Sequence, residues 1–225
     1  MTDRAQLTLD LPHRSADGRE DFFVTSCNKL ALDFIDLWPK WPAPLAVLCG
    51  PSGCGKSHLA AVWQKLSGAY FIKQDEIKVR IESISLNECC FMIDLEAEII
   101  DEKQFLYFYN RVAECGGTIL ASATSPPGRW KFDLPDLESR LRAAPVIKIG
   151  MPDDALLEAV LVKLLLDRQL RVEPGVVAYM LRRMDRSLGA ARDLIRILDE
   201  AALAQKRTIS VPLVRSVLGV MPGDK

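Results

Sequence analysis

The residues best suited to chemistry form one glycine-rich run, Gly50-Pro51-Ser52-Gly53-Cys54-Gly55-Lys56-Ser57. This run, here called the P-loop, fits the Gly-x-x-x-x-Gly-Lys-[Ser/Thr] pattern in full and lies between a strand-like and a helix-like segment. In that context backbone N–H groups face a polyphosphate, Lys56 neutralises phosphate charge, and Ser57 can bind Mg²⁺. The pattern predicts nucleotide binding, and a glycine-rich turn without a ligand is the alternative.

A carboxylate at the end of a later apolar run is the second candidate. Asp94 follows residues 89–93 and is suited to holding Mg²⁺ through water. Most ATPases of this layout have another acidic residue next, which orients the attacking water, but here that residue is Leu95. Glu96 points to the same side as Asp94 in an extended chain, although it is equally interpretable as a solvated loop acid. We therefore expect nucleotide binding with weak or absent intrinsic hydrolysis.

Composition sets the broad class. Of 225 residues, 49% are hydrophobic, which excludes bulk disorder, and 29 basic against 30 acidic side chains exclude binding to nucleic acid or lipid through overall charge. No apolar run reaches the roughly 18 residues of a membrane span, and the start is acidic where a signal peptide is apolar. These features predict a cytoplasmic protein. The six cysteines lack metal-ligand spacing and are expected to be reduced and mostly buried.

Short apolar runs alternate with helix-like stretches up to residue 150. The runs are Leu45–Cys49, Ala69–Ile72, Cys89–Ile93, Thr118–Ser122 and Val146–Ile149. Runs that are apolar on both faces are typical of a buried parallel sheet, and only amphipathic helices follow them. The predicted fold is α/β, with a parallel sheet flanked by helices followed by a small all-helical lid. The predicted divisions are a flexible tail at 1–20, an α/β base at 21–150 and the lid at 151–225.

Together these motifs resemble the AAA+ family over nearly the whole chain, and most closely DnaA and the shorter Hda-type regulators. The resemblance places the P-loop and His58 around phosphate, and Asp94 on the Walker B strand. It implies an adenine-contacting segment with Phe23, Val24 and Asn28. Thr124 matches a polar residue that is usually Asp or Asn in the family, which adds to the doubt about hydrolysis.

Two arginines match family positions on helices. Ser139-Arg140 resembles the motif that supplies an arginine finger to a neighbouring subunit, and Arg192 resembles the lid arginine that reaches the nucleotide. By spacing alone, Arg140 could be a solvated helix-end charge and Arg142 could take its place. Arg192 could simply flank the apolar face of its helix.

The tail contains a short pattern of its own. Gln6, Leu7, Leu9 and Leu11 resemble the extended peptides that bind the sliding clamp of DNA polymerase, with a glutamine anchor and apolar side chains for a groove. The alternative is a chance leucine-rich segment that packs on the domain. The resemblance therefore predicts clamp binding through the tail.

The resemblance implies a negative regulator of chromosomal replication initiation that binds ADP or ATP with Mg²⁺ and promotes hydrolysis of DnaA-bound ATP. DnaA and the sliding clamp are the implied partners, and a homo-oligomer remains open. Because no helix-turn-helix domain follows the lid, we expect no direct specific DNA binding. The lack of a long apolar run predicts no membrane association. The alternatives are an autonomous AAA+ ATPase, such as a helicase loader, and an adaptor that binds DnaA without stimulating hydrolysis.

Overall fold

The computed structural model describes residues 22–84, 89–95, 99, 101–205 and 208–219. In the base its strands are β1 (Leu45–Cys49), β2 (Tyr70–Ile72), β3 (Cys90–Asp94), β4 (Thr118–Ala123) and β5 (Val146–Lys148). The helices of the base are α1 (Lys29–Asp36), α2 (Lys56–Ser67), α3 (Ile77–Ser83), α4 (Glu102–Glu114) and α5 (Pro135–Ala143). The lid contains α6 (Asp154–Asp167), α7 (Val176–Leu181), α8 (Leu188–Gln205) and α9 (Val211–Leu218).

The five strands form one parallel sheet in the order β2-β3-β4-β1-β5. Each coincides with a predicted apolar run to within two residues, so the predicted fold class is confirmed. Strand β1, which lies between β4 and β5, is buried along its whole length, as expected for a parallel strand covered on both faces. Since the strands are parallel, their carboxyl ends meet at one edge, and the P-loop follows β1 there.

Helices cover both faces of the sheet because successive strand residues point to opposite sides. Leu45 and Val47 of β1 pack with α3, α4 and α5, whereas Ala46 and Leu48 pack with α1 and α2. Phe108 on the first side and Trp63 on the second are fully buried. The base is therefore a three-layer sandwich with two apolar cores.

Aspartate side chains cap the starts of α4 and α6. Asp101 accepts a hydrogen bond from the Gln104 backbone N–H at 3.0 Å, and Asp153 accepts one from that of Leu156 at 2.8 Å. These caps satisfy N–H groups that have no partner within the helix. Two other helices begin differently: a 3-10 turn, Gln74–Glu76, precedes α3, and α5 begins at Pro135, a residue that suits the first helical turn.

The lid has a core separate from those of the base. Leu157, Leu161 and Leu165 of α6 pack against Ile195 and Leu198 of α8. One isolated parallel bridge, Val172 to Ile209, is an extended pairing that the sequence did not predict. The separate core is in keeping with the division predicted at residue 150, which stays a prediction.

Two further properties concern the described part of the chain only. No helix in it is long and apolar enough to cross a membrane. All six cysteines are free thiols, but only Cys49 and Cys54 are buried. Cys89, Cys90 and Cys115 are half-buried because they lie near the amino ends of β3 and β4, at the edge of the sheet.

Two leucines of α6 test the lid core. Leu161 is 0% exposed and Leu166 is 70% exposed. Leu161→Ala should lower the free energy of unfolding by about 2–5 kcal/mol because it leaves a cavity. The matched change Leu166→Ala should stay within about 0.5 kcal/mol of the parent. Urea denaturation followed by circular dichroism measures both, and equal losses would contradict the assigned core.

Candidate functional site

A cleft of about 250 Å³ lies between the P-loop, the carboxyl ends of β3 and β4, and the first turn of α8. Such edges of parallel sheets are where ligands bind in α/β folds. The lining comes from all three parts and consists of Ser52, Gly53, Gly55, Lys56, Ser57, His58, Asp94, Ala123, Thr124, Leu188, Gly189 and Arg192. The structure thus brings together most of the predicted phosphate- and cation-binding residues.

The glycines of the P-loop are required by its backbone path. Gly53 has φ +74° and Gly55 has φ +105°, a conformation that other residues rarely adopt. At Gly50, a Cβ atom would lie 2.5 Å from the Ile149 carbonyl oxygen and 2.8 Å from the Cys54 sulfur. The loop therefore curls tightly, with the buried Cys54 beneath it, and burial raises the pKa of the Cys54 thiol.

The Lys56 ammonium lies inside the curl of the loop. Its Nζ donates hydrogen bonds to the carbonyl oxygens of Gly50 at 2.6 Å and Pro51 at 2.9 Å. Lys56 is also the first residue of α2, so the unpaired N–H groups of that helix start face the same space. A cation and converging amides form a cradle that suits a polyphosphate.

Asp94 and Ser57 line the cleft from opposite sides and suit a hydrated divalent cation. Ser122 orients Asp94, because its hydroxyl donates a 2.8 Å hydrogen bond to Asp94 Oδ1. Sequence reasoning missed Ser122. The contact depends on the register of β3 with β4, which places Asp94 beside Ser122, and no local pattern encodes that register.

The positions expected to orient water differ in their surroundings. The Leu95 side chain is 0% exposed and points into the core, so the position after Asp94 offers no polar group to the cleft. Thr124 is exposed and lines the cleft. Glu96 lies outside the described residues, and its orientation stays a prediction.

The lid contacts the P-loop directly through backbone. The Leu188 N–H donates a 3.0 Å hydrogen bond to the Gly53 carbonyl oxygen. A Cβ atom on Gly53 would lie 2.6 Å from Ser187 Cβ, so the approach is close. One turn further along α8, Arg192 lines the cleft, and no ion pair of its guanidinium lies within the described residues. Leu188 was not predicted as a cleft residue, since its type indicates only a core position.

The predicted adenine segment is ordered by a buried amide. Asn28 is 4% exposed; its Nδ2 donates to the Phe23 carbonyl oxygen and its Oδ1 accepts from the Thr25 N–H, both at 2.9 Å. Phe23 and Val24 are exposed and are not part of the cleft lining. In this structure Asn28 shapes the backbone of the segment, and the adenine contacts stay predictions.

This segment is joined to the base near the cleft at two points. The Phe22 ring meets the His58 ring edge-on with centroids 5.2 Å apart. The Cys27 carbonyl oxygen accepts a 3.0 Å hydrogen bond from the Gly150 N–H. The segment therefore lies against both α2 and the end of β5.

Arg140 lies on α5 and is not part of the cleft lining. Its Nε and Nη2 donate to the two carboxylate oxygens of Asp136 at 3.0 and 3.2 Å, and its guanidinium carbon lies 5.3 Å from the Tyr109 ring centroid. The hydrogen bonds that Arg140 donates to Asp136 raise the pKa of Arg140, so the guanidinium stays charged. The neighbouring Arg142 instead pairs with Glu138 at 2.6 Å.

The predicted clamp-binding residues, Gln6, Leu7, Leu9 and Leu11, lie outside the described residues. Nothing in the structure bears on their assignment, which stays a prediction.

Solved structures define the class of this fold. Domain III of Thermotoga maritima DnaA superimposes with a TM-score of 0.79 at 15% identity, over 93% of this chain and 98% of that one. AMPPCP-bound DnaA from Aquifex aeolicus gives 0.64 at 15% identity, over 83% and 68% of the two chains. The Thermotoga maritima RuvB Holliday junction branch migration motor gives 0.64 at 17%, over 87% and 67%. The fold is therefore that of the AAA+ class.

Sequence comparison gives a more specific resemblance, which lies in the lid. Residues 154–218 match the family model described as Hda, lid domain. A Haemophilus influenzae protein described as uncharacterized is 26% identical over 234 residues, covering 94% of this chain and 98% of that protein. The lid match and the DnaA-like fold of the whole chain together confirm the predicted resemblance to DnaA-related AAA+ proteins of the Hda type.

Lysine substitutions in α2 test the phosphate cradle. Lys56→Ala should weaken binding of ADP by roughly 10- to 150-fold, because a hydrogen bond to a charged group contributes about 1.5–3 kcal/mol. Lys65→Ala, at the exposed far end of the same helix, is the matched control and should bind like the parent. Titration calorimetry measures both affinities, and equal binding by both variants would contradict the cradle.

Proposed function

We propose that this protein is an ADP-binding negative regulator of chromosomal replication initiation, which acts in the cytoplasm by promoting hydrolysis of ATP bound to DnaA. The observation that carries the proposal is the placement of Arg140. This arginine lies outside the cleft of its own chain, on a helix whose exposed side is open to another protein. An arginine in that position suits a partner's nucleotide rather than the chain's own.

The nucleotide of this chain has a structural task in this proposal. Lys56, Ser57 and Arg192 converge on one cleft from base and lid, so a bound diphosphate would join the two parts. Mg²⁺ would supply positive charge to the phosphates, with Ser57 and Asp94 as its protein ligands. DnaA structures of the same fold include AMPPCP complexes, which supports an adenine nucleotide here. The preference for ADP is part of the proposal.

Weak intrinsic hydrolysis fits this assignment. The buried Leu95 provides no carboxylate beside Asp94, and Thr124 is a weaker group for positioning water than the usual Asp or Asn. A hydrolytic motor needs an oriented water molecule in its own site. These two positions favour the regulator over the autonomous ATPase.

The environment of Arg140 is compatible with action on a neighbour. Its side chain is 34% exposed and that of Asp136 is 60% exposed, so their ion pair is largely in water. Helical pairs of this kind contribute about 0.3–0.5 kcal/mol, and the guanidinium can exchange Asp136 for a phosphate at small cost. There it would stabilise charge developing on the transferred phosphoryl group, an effect of about 10³–10⁵ in rate.

The tail completes the proposal by tethering the regulator to the sliding clamp. Gln6 would anchor an extended segment whose alternate residues Leu7, Leu9 and Leu11 share one side. The resemblance to Hda implies clamps that are already loaded on DNA, so a clamp-bound regulator would act on DnaA once replication is under way. Binding through the tail would leave Arg140 free for DnaA.

Arginine substitutions on α5 test the finger. Arg140→Ala should reduce stimulation of DnaA-bound ATP hydrolysis by about 10³-fold or to the unstimulated rate, because the charge of the finger is lost. Arg142→Ala should retain stimulation. Single-turnover release of phosphate from ATP-loaded DnaA measures both.

The outcomes separate the candidate functions. If Arg142→Ala instead loses stimulation, Arg142 is the arginine finger. Full stimulation by both variants would remove the finger. Binding to DnaA without any stimulation by the parent would favour the adaptor. Rapid hydrolysis by this protein alone would favour the autonomous ATPase.

Substitutions in the tail test clamp binding. Deleting residues 1–12, or changing Leu9 and Leu11 to Ala, should abolish binding to isolated clamp because the groove loses its apolar contacts. Thr8→Ala, on the other side of an extended segment, is the matched control and should bind normally. Surface plasmon resonance measures the affinity, and undiminished binding by the truncated chain would show that the tail assignment is wrong.

A further inference from the structure

The amino-terminal end of α5 is held by a carboxylate from another helix. Glu102, the first residue of α4, accepts hydrogen bonds from the Asp133 N–H at 3.0 and 3.1 Å and from the Leu134 N–H at 2.7 Å. Leu134 is the residue that precedes the first turn of α5, and its own side chain makes no cap. Glu102, on a neighbouring helix of the same chain, therefore supplies the hydrogen-bond acceptor and the negative charge that a helix start favours.

A second contact joins the same two helices further along. Arg140 lies over the ring of Tyr109, which also belongs to α4. Tyr109 follows Glu102 by seven residues, or two helical turns, so both lie on one face of α4. That face contacts α5 first at its start and then at Arg140.

Apolar contacts along α5 fix its depth against the sheet. Leu137 and Leu141 are fully buried in the base core and keep the helix against the sheet. Apolar packing is not directional, whereas hydrogen bonds to two consecutive backbone N–H groups specify the position of the helix start. Arg140 is five residues after Pro135, about 7.5 Å along a rigid helix, so displacement of the start moves the guanidinium.

We propose that Glu102 is a positioning residue for Arg140: by holding the Asp133 and Leu134 N–H groups, it fixes where the arginine finger is presented to the partner. This inference rests on the proposed function, because it assigns Glu102 a task only if Arg140 acts on the partner's ATP. Glu102 itself touches no nucleotide. Misplacing a catalytic group by about 1 Å can lower the reaction rate roughly 100-fold.

Substitution of the carboxylate tests the inference in the full-length protein. Glu102→Gln keeps the size but loses the charge and one acceptor oxygen. Glu114→Gln, at the other end of α4, changes an exposed carboxylate that pairs with Arg111 and is the matched control. Hydrolysis of ATP by ATP-loaded DnaA is measured in single turnovers against increasing concentrations of each variant, which gives a maximal rate and a half-saturating concentration.

Glu102→Gln should lower the maximal rate roughly 10- to 100-fold while leaving the half-saturating concentration unchanged, because docking is intact and only the finger is misplaced. The double variant with Arg140→Ala should be no slower than Arg140→Ala alone, since both changes act through one group. Glu114→Gln should match the parent. ADP affinity should be the same in every variant, because none of the substituted residues lines the cleft.

A second variant distinguishes a general loss of structure from a misplaced Arg140. Rates are expressed per folded molecule by circular dichroism, and Glu102→Asp is measured in parallel. It keeps the charge but reaches one methylene less far, so it should also lower the maximal rate. A parent-like maximal rate in both variants, a change confined to half-saturation, or additive losses in the double variant would overturn the inference. If Arg140→Ala itself stimulates fully, the proposed function and this inference both fail; if only Glu102→Gln does, this inference alone fails.

Discussion

The cleft depends on the close approach of α8 to the P-loop. The Leu188 N–H reaches the Gly53 carbonyl oxygen, and Ser187 lies so near Gly53 that a Cβ atom there would collide with it. A backbone that approaches this closely requires glycine in the loop. The same approach brings Arg192 to the cleft, so part of the cleft wall belongs to the lid. The glycines of the loop are therefore needed for the close approach of the lid as well as for ligand binding.

The two arginines singled out from the sequence have opposite surroundings. Arg192 lines the cleft of its own chain, and no ion pair of its guanidinium lies in the described ranges, whereas Arg140 is outside the cleft and held by Asp136 and Tyr109. This contrast fits the proposed roles, in which Arg192 contacts the chain's own ligand and Arg140 meets a second molecule. The buried Leu95 after Asp94 agrees with this contrast, because it leaves the chain's own site without a second carboxylate for hydrolysis.

Local patterns were sufficient for part of this structure. The parallel strands and the P-loop could be predicted because each depends on consecutive residues. The strands are apolar runs, and the P-loop has glycines at fixed spacing before Lys56. Contacts between stretches could not be predicted. The Ser122 hydroxyl meets Asp94 only because β3 lies beside β4, and Glu102 meets the start of α5 across a tertiary fold. Leu188 could not be assigned to the cleft from the sequence, since a leucine does not show that it borders one.

The hydrogen bonds of Lys56 to the Gly50 and Pro51 carbonyl oxygens have an energetic consequence for ligand affinity. They tie the ammonium to the loop's own backbone, so the conformational entropy of ordering that turn is lost when the chain folds. An arriving phosphate exchanges one set of acceptors for another instead of immobilising a slack loop. Preorganisation of this kind leaves more of the interaction energy as net affinity, which suits a ligand that is retained rather than turned over.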